Sequence, residues 1–217
     1  MRDAVEVKDF KGYKINIYQD DCNDSPADWG DDNLFLVAYH RDFSVEGIRV
    51  YNKLPEGVKR DPKDKGHLLI EKSAAVAFAR NEPDGYDKEL FKKYHVFGLE
   101  AYIHSGVVLA LSQEGNFCDR QWDVSQLGLV FVAKKEWRIR EKAKQAARGL
   151  IETWNDNLSG NVYGYMIEHS DGRESGGCWG YYGDPDKSDL VNDAQAEIES
   201  ALKEDAEKNK IATQAMA

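Results

Sequence analysis

The chain has 217 residues, 41% of them hydrophobic, and a formal net charge of −10. This length supports one large domain, or a domain with an appendage, and the apolar content is enough for a real core. The negative charge disfavours direct binding of DNA, RNA or an anionic membrane, because phosphate contacts need a basic face, but it permits binding to a basic partner.

Two strands are predicted near the N-terminus, on either side of an acidic stretch. Residues Gly12 to Tyr18 alternate apolar and polar side chains, which is the strand period, and Asn33 to Tyr39 are apolar enough for a central strand. The stretch QDDCNDSPADWGDDN, from Gln19 to Asn33, is therefore a loop between two strands. Loops of this length are more often functional than idle.

The middle of the chain is predicted to contain helices and one hairpin. Residues Arg49 to Gly66 have the prolines and mixed charges of a loop. A helix is predicted over Leu68 to Arg80 and a shorter one over Tyr86 to Tyr94. Phe97 to Ser112 contains two apolar runs around Ser105-Gly106, which predicts a hairpin.

A buried strand followed by a long helix is predicted next. Gln126 to Ala133 is a short, continuous apolar run, which is typical of a strand buried on both faces. From Lys134 to Leu158, apolar residues including Ile139 recur every three or four positions, so one face of a long helix is apolar. Gly160 is placed to end that helix.

The last elements are a hairpin and a C-terminal helix. Asn161 to Glu168 and Gly176 to Tyr182 are predicted strands, joined by a turn at Ser170-Asp171-Gly172. The glycines of GGCWGYYG indicate a bulged strand with close backbone packing. An amphipathic helix is predicted from Leu190 and is expected to fray after Glu207.

This order predicts an α+β fold with a largely antiparallel sheet, a long amphipathic helix, a helical insertion near residues 68–94 and a C-terminal helix. Residues 1–183 are expected to form a single domain. The acidic helix within residues 184–217 is expected either to pack on this domain or to extend from it. We expect Leu34 to Tyr39, Leu127 to Val132 and Val162 to Ile167 in the sheet. We expect Trp154 and Trp179 in the core.

Three widely spaced cysteines, Cys22, Cys118 and Cys178, form no CxxC motif and are predicted to be reduced thiols, Cys178 being buried and the least reactive. The first residues lack the apolar core of a signal peptide, and no run is long enough to span a membrane, so we expect a cytoplasmic protein. Cys118 with His104 has the outline of a thiol nucleophile, but the local signatures of cysteine proteases are absent.

The acidic stretch has three interpretations: a solvated loop, a surface that faces a partner, or a metal site. Its six aspartates offer oxygen ligands to a hard cation. Asp20, Asp21, Asp31 or Asp32 with His40 suggest a metal-dependent hydrolase or nuclease as an alternative function. The EF-hand order is absent, as are zinc-binding and nucleotide-binding motifs, so no metal or other cofactor is predicted. Asx turns explain part of the composition.

Four blocks carry a resemblance: SPADWGDDNLFLVAYH (from Ser25), WDVSQLGLVFVAKKEWR (from Trp122), LSGNVYGYMIE (from Leu158) and CWGYYG (from Cys178). In this order they resemble an uncharacterised family carried by bacteriophages and mobile elements, which has no assigned activity. The resemblance covers about half of the chain. It implies a small accessory protein that works inside a bacterial host cell.

No motif assigns a reaction, so binding is favoured over catalysis. The sequence leads us to expect an acidic inhibitor of a host nucleic-acid-handling defence protein, such as a restriction or CRISPR effector, whose basic groove it would occupy as a DNA mimic. A non-catalytic structural or regulatory phage protein is a further alternative. The expected partner-binding residues are Asp20, Asp21, Asp24, Asp28, Asp31 and Asp32 of the loop and Asp189, Asp193, Glu197 and Glu204 of the C-terminal helix.

Overall fold

The computed structural model describes residues 3–26, 29, 31, 33–38, 58–60, 68–70, 92–118 and 120–215. Helices and antiparallel sheets occupy separate parts of the chain, so the α+β prediction is confirmed. The chain divides into two compact units. Unit 1 consists of Met1–Asn23 and Gly160–Ala217, and unit 2 of Asp24–Ser159.

The described elements follow one another in this order: β1 (Glu6–Phe10), β2 (Tyr13–Gln19), β3 (Leu34–Ala38), β4 (Val58–Arg60), β5 (Leu68–Ile70), β6 (Tyr94–Ile103), β7 (Val107–Leu111), β8 (Val124–Ala133), α1 (Arg140–Ser159), β9 (Val162–Glu168), β10 (Glu174–Tyr182) and α2 (Leu190–Ala215). The hairpins β6–β7 and β9–β10 confirm two predicted hairpins. The strand β1 is an addition that the sequence analysis did not predict.

Unit 1 is a four-stranded antiparallel sheet, ordered β1-β2-β9-β10, with α2 packed on one face. The alternation in β2 turns Ile15 and Ile17 towards the helix, and both are completely buried. Burial of such side chains contributes about 1.5–3 kcal/mol each, which fixes the register of the sheet against α2. The other buried members of this core are Tyr165, Ile167, Leu190, Ala194 and Ile198.

The strand β10 forms an edge of this sheet, and two predictions about it are wrong. Trp179 is 48% exposed and Cys178 is exposed, so neither belongs to the core. Trp179 instead packs over Gly164, where an added Cβ would lie 2.3 Å from the indole ring. The predicted bulge is confirmed by a register shift between Cys178 and Tyr181 and by φ of +84° at Gly180. This irregularity turns the Trp179 side chain away from the core, where its apolar neighbours in the sequence had predicted it.

Unit 2 contains a second antiparallel sheet, ordered β3-β8-β6-β7, with α1 packed across it. As predicted, β8 is buried on both faces. Val130 and Val132 lie in one core cluster with Trp154 of α1, which confirms the buried position expected for Trp154. The alternate residue Phe131 stacks on Phe35 of β3 with ring centroids 5.1 Å apart, on the opposite face.

The three strands expected in one sheet belong to two sheets. Leu34–Ala38 and Val124–Ala133 pair in unit 2, whereas Val162–Glu168 pairs in unit 1. The prediction of one sheet is therefore wrong. Alternation and apolar density identify strands but do not identify their partners, which depend on long-range packing.

The helices begin and end partly as predicted. α1 begins at Arg140, not at Lys134, because a turn after β8 brings the Trp137 N–H to the Ala133 carbonyl. Ile139 precedes the helix and is exposed, so it is not part of the apolar face. The helix ends as predicted before Gly160, whose φ of +72° suits glycine. The helix α2 continues to Ala215, beyond the predicted end at Glu207.

Two short strands replace part of the predicted loop and helix in the middle of the chain. Val58–Arg60 pairs with Leu68–Ile70, so the loop prediction is wrong at the first strand and the helix prediction is wrong at the second. Lys92 and Lys93 are helical, but Tyr94 already belongs to β6. The rest of the predicted helices, residues 71–91, lies outside the described residues.

Candidate functional site

The acidic stretch between β2 and β3 crosses from one unit to the other. Asp20 and Asp21 belong to unit 1, whereas Asp24 and Asp31 belong to unit 2. Asp21, Asp24 and Asp31 are exposed, and Asp20 is half-buried. Asp28, Asp32 and His40 lie outside the described residues.

Two of these aspartates form the Asx turns that the composition suggested. Asp20 Oδ1 accepts the backbone N–H of Cys22 at 3.1 Å, and Asp31 Oδ1 accepts that of Asn33 at 2.7 Å. Such bonds replace backbone partners in a loop and leave the second carboxylate oxygen for other contacts. Among the described residues, no three His, Cys, Asp or Glu side chains lie close enough to hold a metal ion.

Negative charge is concentrated in unit 1. The sequence of this unit contains seventeen acidic and nine basic residues, which gives eight of the ten net negative charges of the chain. Nine acidic and two basic residues lie between Asp184 and Glu207 alone, in and just before α2. The loop from Asp20 to Asp32 is the first contact surface expected from the sequence and the C-terminal helix the second, whereas most of the charge excess lies in unit 1, which contains that helix.

Two carboxylates of α2 also connect the helix to the sheet. The Tyr165 hydroxyl donates to Glu197 Oε2 at 2.9 Å, and the Tyr181 hydroxyl donates to Asp193 Oδ2 at the same distance. Burial, followed by the bond to Glu197, raises the pKa of the Tyr165 phenol. Burial and bonds to Cys178 and Asp193 raise the pKa of Tyr181. These tyrosines therefore stay neutral donors to the two carboxylates.

A glycine on β10 makes room for one of these contacts. An added Cβ at Gly176 would lie 1.9 Å from Glu197 Oε1, so the carboxylate occupies the space that a side chain at this position would need. This contact was not predicted, because Gly176 and Glu197 are 21 residues apart in the sequence and only the glycine-rich pattern of β10 indicated close packing.

Two lysines at the N-terminus contact acidic groups near the two ends of the packed part of α2. Lys8 Nζ lies 2.5 Å from Asp186, and Lys11 pairs with Glu199. Asp189 and Glu204, two of the expected partner-binding residues, are exposed. Lys208 lies 3.8 Å from Glu204. Exposed pairs of this kind are weak, so they leave the surface strongly negative.

The residues of the thiol-nucleophile hypothesis lie in unit 2. His104 Nδ1 lies 3.6 Å from Asp123 Oδ2, and its ring stacks on Tyr102. Cys118 is exposed. A carboxylate beside a histidine is one part of a nucleophile site, but the hypothesis also needs the thiol beside the histidine. It stays a prediction.

Unit 2 also has an open cleft of about 320 Å³ between α1 and the beginning of β3. Its walls are mostly apolar, with a carboxylate and a hydroxyl among them, and Trp29 is 52% exposed. The lining residues are Pro26, Trp29, Asp31, Leu34, Phe35, Leu36, Ala146, Gly149, Leu150, Thr153 and Trp154. The cleft was not predicted from the sequence, because its walls come from segments more than a hundred residues apart.

A glycine inside α1 contributes to the open space of the cleft. Gly149 costs the helix about 0.5–1 kcal/mol relative to alanine. An added Cβ at this position would meet none of the described atoms within 4 Å. The packing of the described residues therefore does not require a glycine here. Because glycine has no side chain, the helix backbone at this position stays accessible from the cleft.

Comparisons with protein families, with curated proteins and with solved structures give no match. The resemblance to a phage-borne family therefore rests on the four sequence blocks alone. Within the part of the chain that the structure describes, no helix is both long and apolar enough to cross a lipid bilayer. The candidate sites are thus an acidic surface on unit 1 and a cleft on unit 2.

Proposed function

We propose that the protein acts by binding a basic protein, as an acidic inhibitor of a nucleic-acid-handling defence protein such as a restriction or CRISPR effector. The observation that carries this proposal is the concentration of eight net negative charges in unit 1. A field of one sign over a small unit attracts a basic groove at long range and accelerates association.

The helix α2 and the residue before it supply an ordered row of such charges. Asp189, Asp193, Glu197 and Glu204 are spaced by four, four and seven residues, so they share one helix face. Four residues span about 6 Å along a helix axis, so the first three carboxylates follow one another at about 6 Å and the fourth lies about 10 Å further on. The bonds from Tyr165 and Tyr181 hold the middle two in place, which lowers the entropy lost on binding.

The exposed aspartates of the loop support the proposal as a second contact surface. Asp21, Asp24 and Asp31 are exposed, and Asx turns hold the backbone on either side of this segment. The resemblance to a family of bacteriophages and mobile elements supports a place of action in the cytoplasm of a bacterial host cell. In this setting the natural competitor is nucleic acid, whose phosphates occupy the same basic groove.

A panel of purified restriction endonucleases and CRISPR effectors, assayed for DNA cleavage with increasing amounts of the protein, tests this proposal. We expect the protein to inhibit at least one enzyme. This inhibition should weaken steeply between about 50 and 300 mM NaCl, because salt screens the attraction between exposed charges. A variant with Asp189→Asn, Asp193→Asn, Glu197→Gln and Glu204→Gln should inhibit less, mainly through slower association.

Two controls make the result interpretable. The amides still accept the tyrosine hydroxyls, so circular dichroism and urea unfolding should show an intact fold. A variant with Lys203→Gln and Lys210→Gln has changes in the same helix but more net negative charge, and should inhibit at least as well. If no enzyme in the panel is inhibited, or if inhibition is independent of salt and of the four substitutions, the proposal is wrong.

A further inference from the structure

The cleft of unit 2 combines apolar walls with a carboxylate and an indole ring near its opening. Leu34 of β3 and Leu150 of α1 contribute to the walls, and Trp29 is half-exposed. Asp31 is exposed, and its Oδ1 is fixed by the Asn33 N–H. At about 320 Å³ the cleft is at the lower end of the range of roughly 300–1,000 Å³ for small-molecule sites. Its size therefore suits a single long side chain.

We propose that this cleft binds an arginine side chain of a protein partner. For the nature of that partner, the inference rests on the proposed binding to a basic protein. An arginine has an apolar stem that packs along apolar walls and a planar guanidinium that stacks on an aromatic ring and pairs with a carboxylate. Leu34, Leu150, Trp29 and Asp31 supply these three kinds of contact. Lysine lacks the planar group and fits this combination less well.

Gly149 provides the space that the stem would fill. A side chain here would point into a volume that the described residues leave empty. The helix nevertheless has glycine at this position, between Ala146 and Thr153 on the same wall. The Thr153 hydroxyl donates to the Gly149 carbonyl at 3.1 Å, which satisfies that group and leaves the hydroxyl oxygen able to accept a hydrogen bond.

The charges along α1 favour a cation at this position. Glu152 and Asp156 follow Gly149 by three and seven residues, so both lie along the same side of the helix. Lys142 precedes Gly149 by seven residues on this side and offsets Asp156, which leaves Glu152 as the nearest charge on this side. Lys144 and Arg148 point elsewhere, because both pair with Glu114. Together with Asp31, the nearest charges are therefore mainly negative.

Three blocked tripeptides test this inference: Ac-Gly-Arg-Gly-NH2, its citrulline analogue and its norleucine analogue. The full chain, labelled with ¹⁵N, is titrated with each, and the Trp29 indole and Gly149 amide signals are followed by NMR. We expect the arginine peptide to shift both signals. The citrulline and norleucine peptides should bind about tenfold more weakly, since they lack the charge or the whole polar group.

Matched variants locate the binding. Asp31→Asn and Trp29→Ala should each weaken arginine-peptide binding about tenfold, whereas Trp122→Ala, which removes an exposed tryptophan elsewhere in unit 2, should not. Gly149→Leu should abolish binding by filling the cleft. Gln121→Leu places the same side chain at an exposed position of unit 2 outside α1 and should leave binding unchanged. Thermal unfolding identifies any variant that fails to fold. If Gly149→Leu does not fold, Gly149→Ala is measured in its place.

Failure of this inference differs from failure of the proposed function. If the arginine peptide does not shift the Trp29 and Gly149 signals, or if norleucine binds equally well, the cleft is not an arginine site, even where the protein still inhibits a basic effector. If the peptide binds as expected and no effector is inhibited, the arginine site stands and the inhibitor proposal fails.

Discussion

The carboxylate of Glu100, which is completely buried on β6, lies 2.7 Å from Nη2 of Arg120. The same carboxylate accepts the backbone N–H groups of Gln113 at 3.0 Å and Gly115 at 3.2 Å. Three donors from two separate segments thus meet at one side chain. This arrangement fixes the turn after β7 and the segment before β8 to the sheet of unit 2.

We expect Arg120→Ala to lower the free energy of unfolding by about 2–3 kcal/mol. Removing one partner of a fully buried pair costs about 3–5 kcal/mol, and the cost is smaller here because Arg120 is 40% exposed and the backbone donors remain. Urea unfolding at pH 7 measures the change. As a control, Arg173→Ala removes the exposed pair with Asp171 and should leave the midpoint unchanged. If both substitutions change the free energy of unfolding equally, the buried pair of Glu100 and Arg120 is no more stabilising than an exposed pair.

The edge strand β7 is protected by a side chain of α1. Asn155 Oδ1 accepts the Leu109 N–H at 2.7 Å, and its Nδ2 donates to the Leu109 carbonyl at 3.0 Å. The amide thus makes the two bonds that a neighbouring strand would make at this residue. An edge without such protection is a template for pairing with another chain.

Asn155→Ala should destabilise the protein and expose this edge. Two backbone groups lose their partners, which costs about 1–3 kcal/mol for each group that stays buried, so we expect roughly 2–4 kcal/mol in urea unfolding. Light scattering should also show association that increases with protein concentration. Gln145→Ala, on an exposed position of the same helix, is the control and should change neither quantity. A variant that unfolds at the wild-type midpoint would contradict the assigned role of Asn155.

The sequence predicts elements better than it predicts their partners. The alternation in β2 and the apolar run of β8 identify both strands, and Gly160 correctly marks the end of α1. The assignment of strands to two sheets, the exposure of Trp179 and the bond between Tyr165 and Glu197 depend on contacts between distant residues. An apolar strand face shows in the sequence that another element covers it, but not which element does. For this reason the acidic residues were found from composition, but the cleft was not.

All three cysteines are exposed, so all three should react with Ellman's reagent in the folded protein. This expectation replaces the prediction that Cys178 is buried and the least reactive. The number of thiols that react without denaturant should equal the three that react in urea. Mass spectrometry after partial labelling identifies each modified cysteine. An unreactive Cys178 in the native protein would contradict the placement of β10 at the edge of the sheet.

The stability of unit 1 should fall at alkaline pH because of Tyr165. Burial and the bond to Glu197 raise the pKa of this phenol above its ordinary value of 10.0. A group whose pKa is raised by folding contributes its full stability below the unfolded-state pKa and loses it as pH rises towards the folded-state pKa. We therefore expect constant stability from pH 7 to about 9 and a decline above about 10. Urea midpoints between pH 7 and 11 should show a shallower decline for Tyr165→Phe, and an identical decline in both proteins would contradict this cause.

The contact between Gly176 and Glu197 predicts a specific non-additivity. In the wild-type background, Gly176→Ala forces the Glu197 carboxylate away and so breaks its bond with Tyr165, at a cost of about 0.5–1.5 kcal/mol. The alanine also reduces the entropy of the unfolded chain, which contributes about 0.4–1 kcal/mol in the opposite direction. In the Glu197→Ala background only this second effect remains. The double-mutant cycle should therefore give a coupling energy of about 1 kcal/mol, within the usual range for residues in contact.

Two further backgrounds decide whether the coupling acts through the tyrosine. In Tyr165→Phe the carboxylate has no hydroxyl to lose, so Gly176→Ala should be as well tolerated there as in Glu197→Ala. Gly177→Ala is the matched control, because its Cβ would lie 2.5 Å from the Tyr165 carbonyl oxygen, a backbone atom that cannot move aside. Its cost should be the same in every background. If Gly176→Ala is equally costly in all three backgrounds, Glu197 does not occupy the space above Gly176, and the attachment of α2 to β10 described above is wrong.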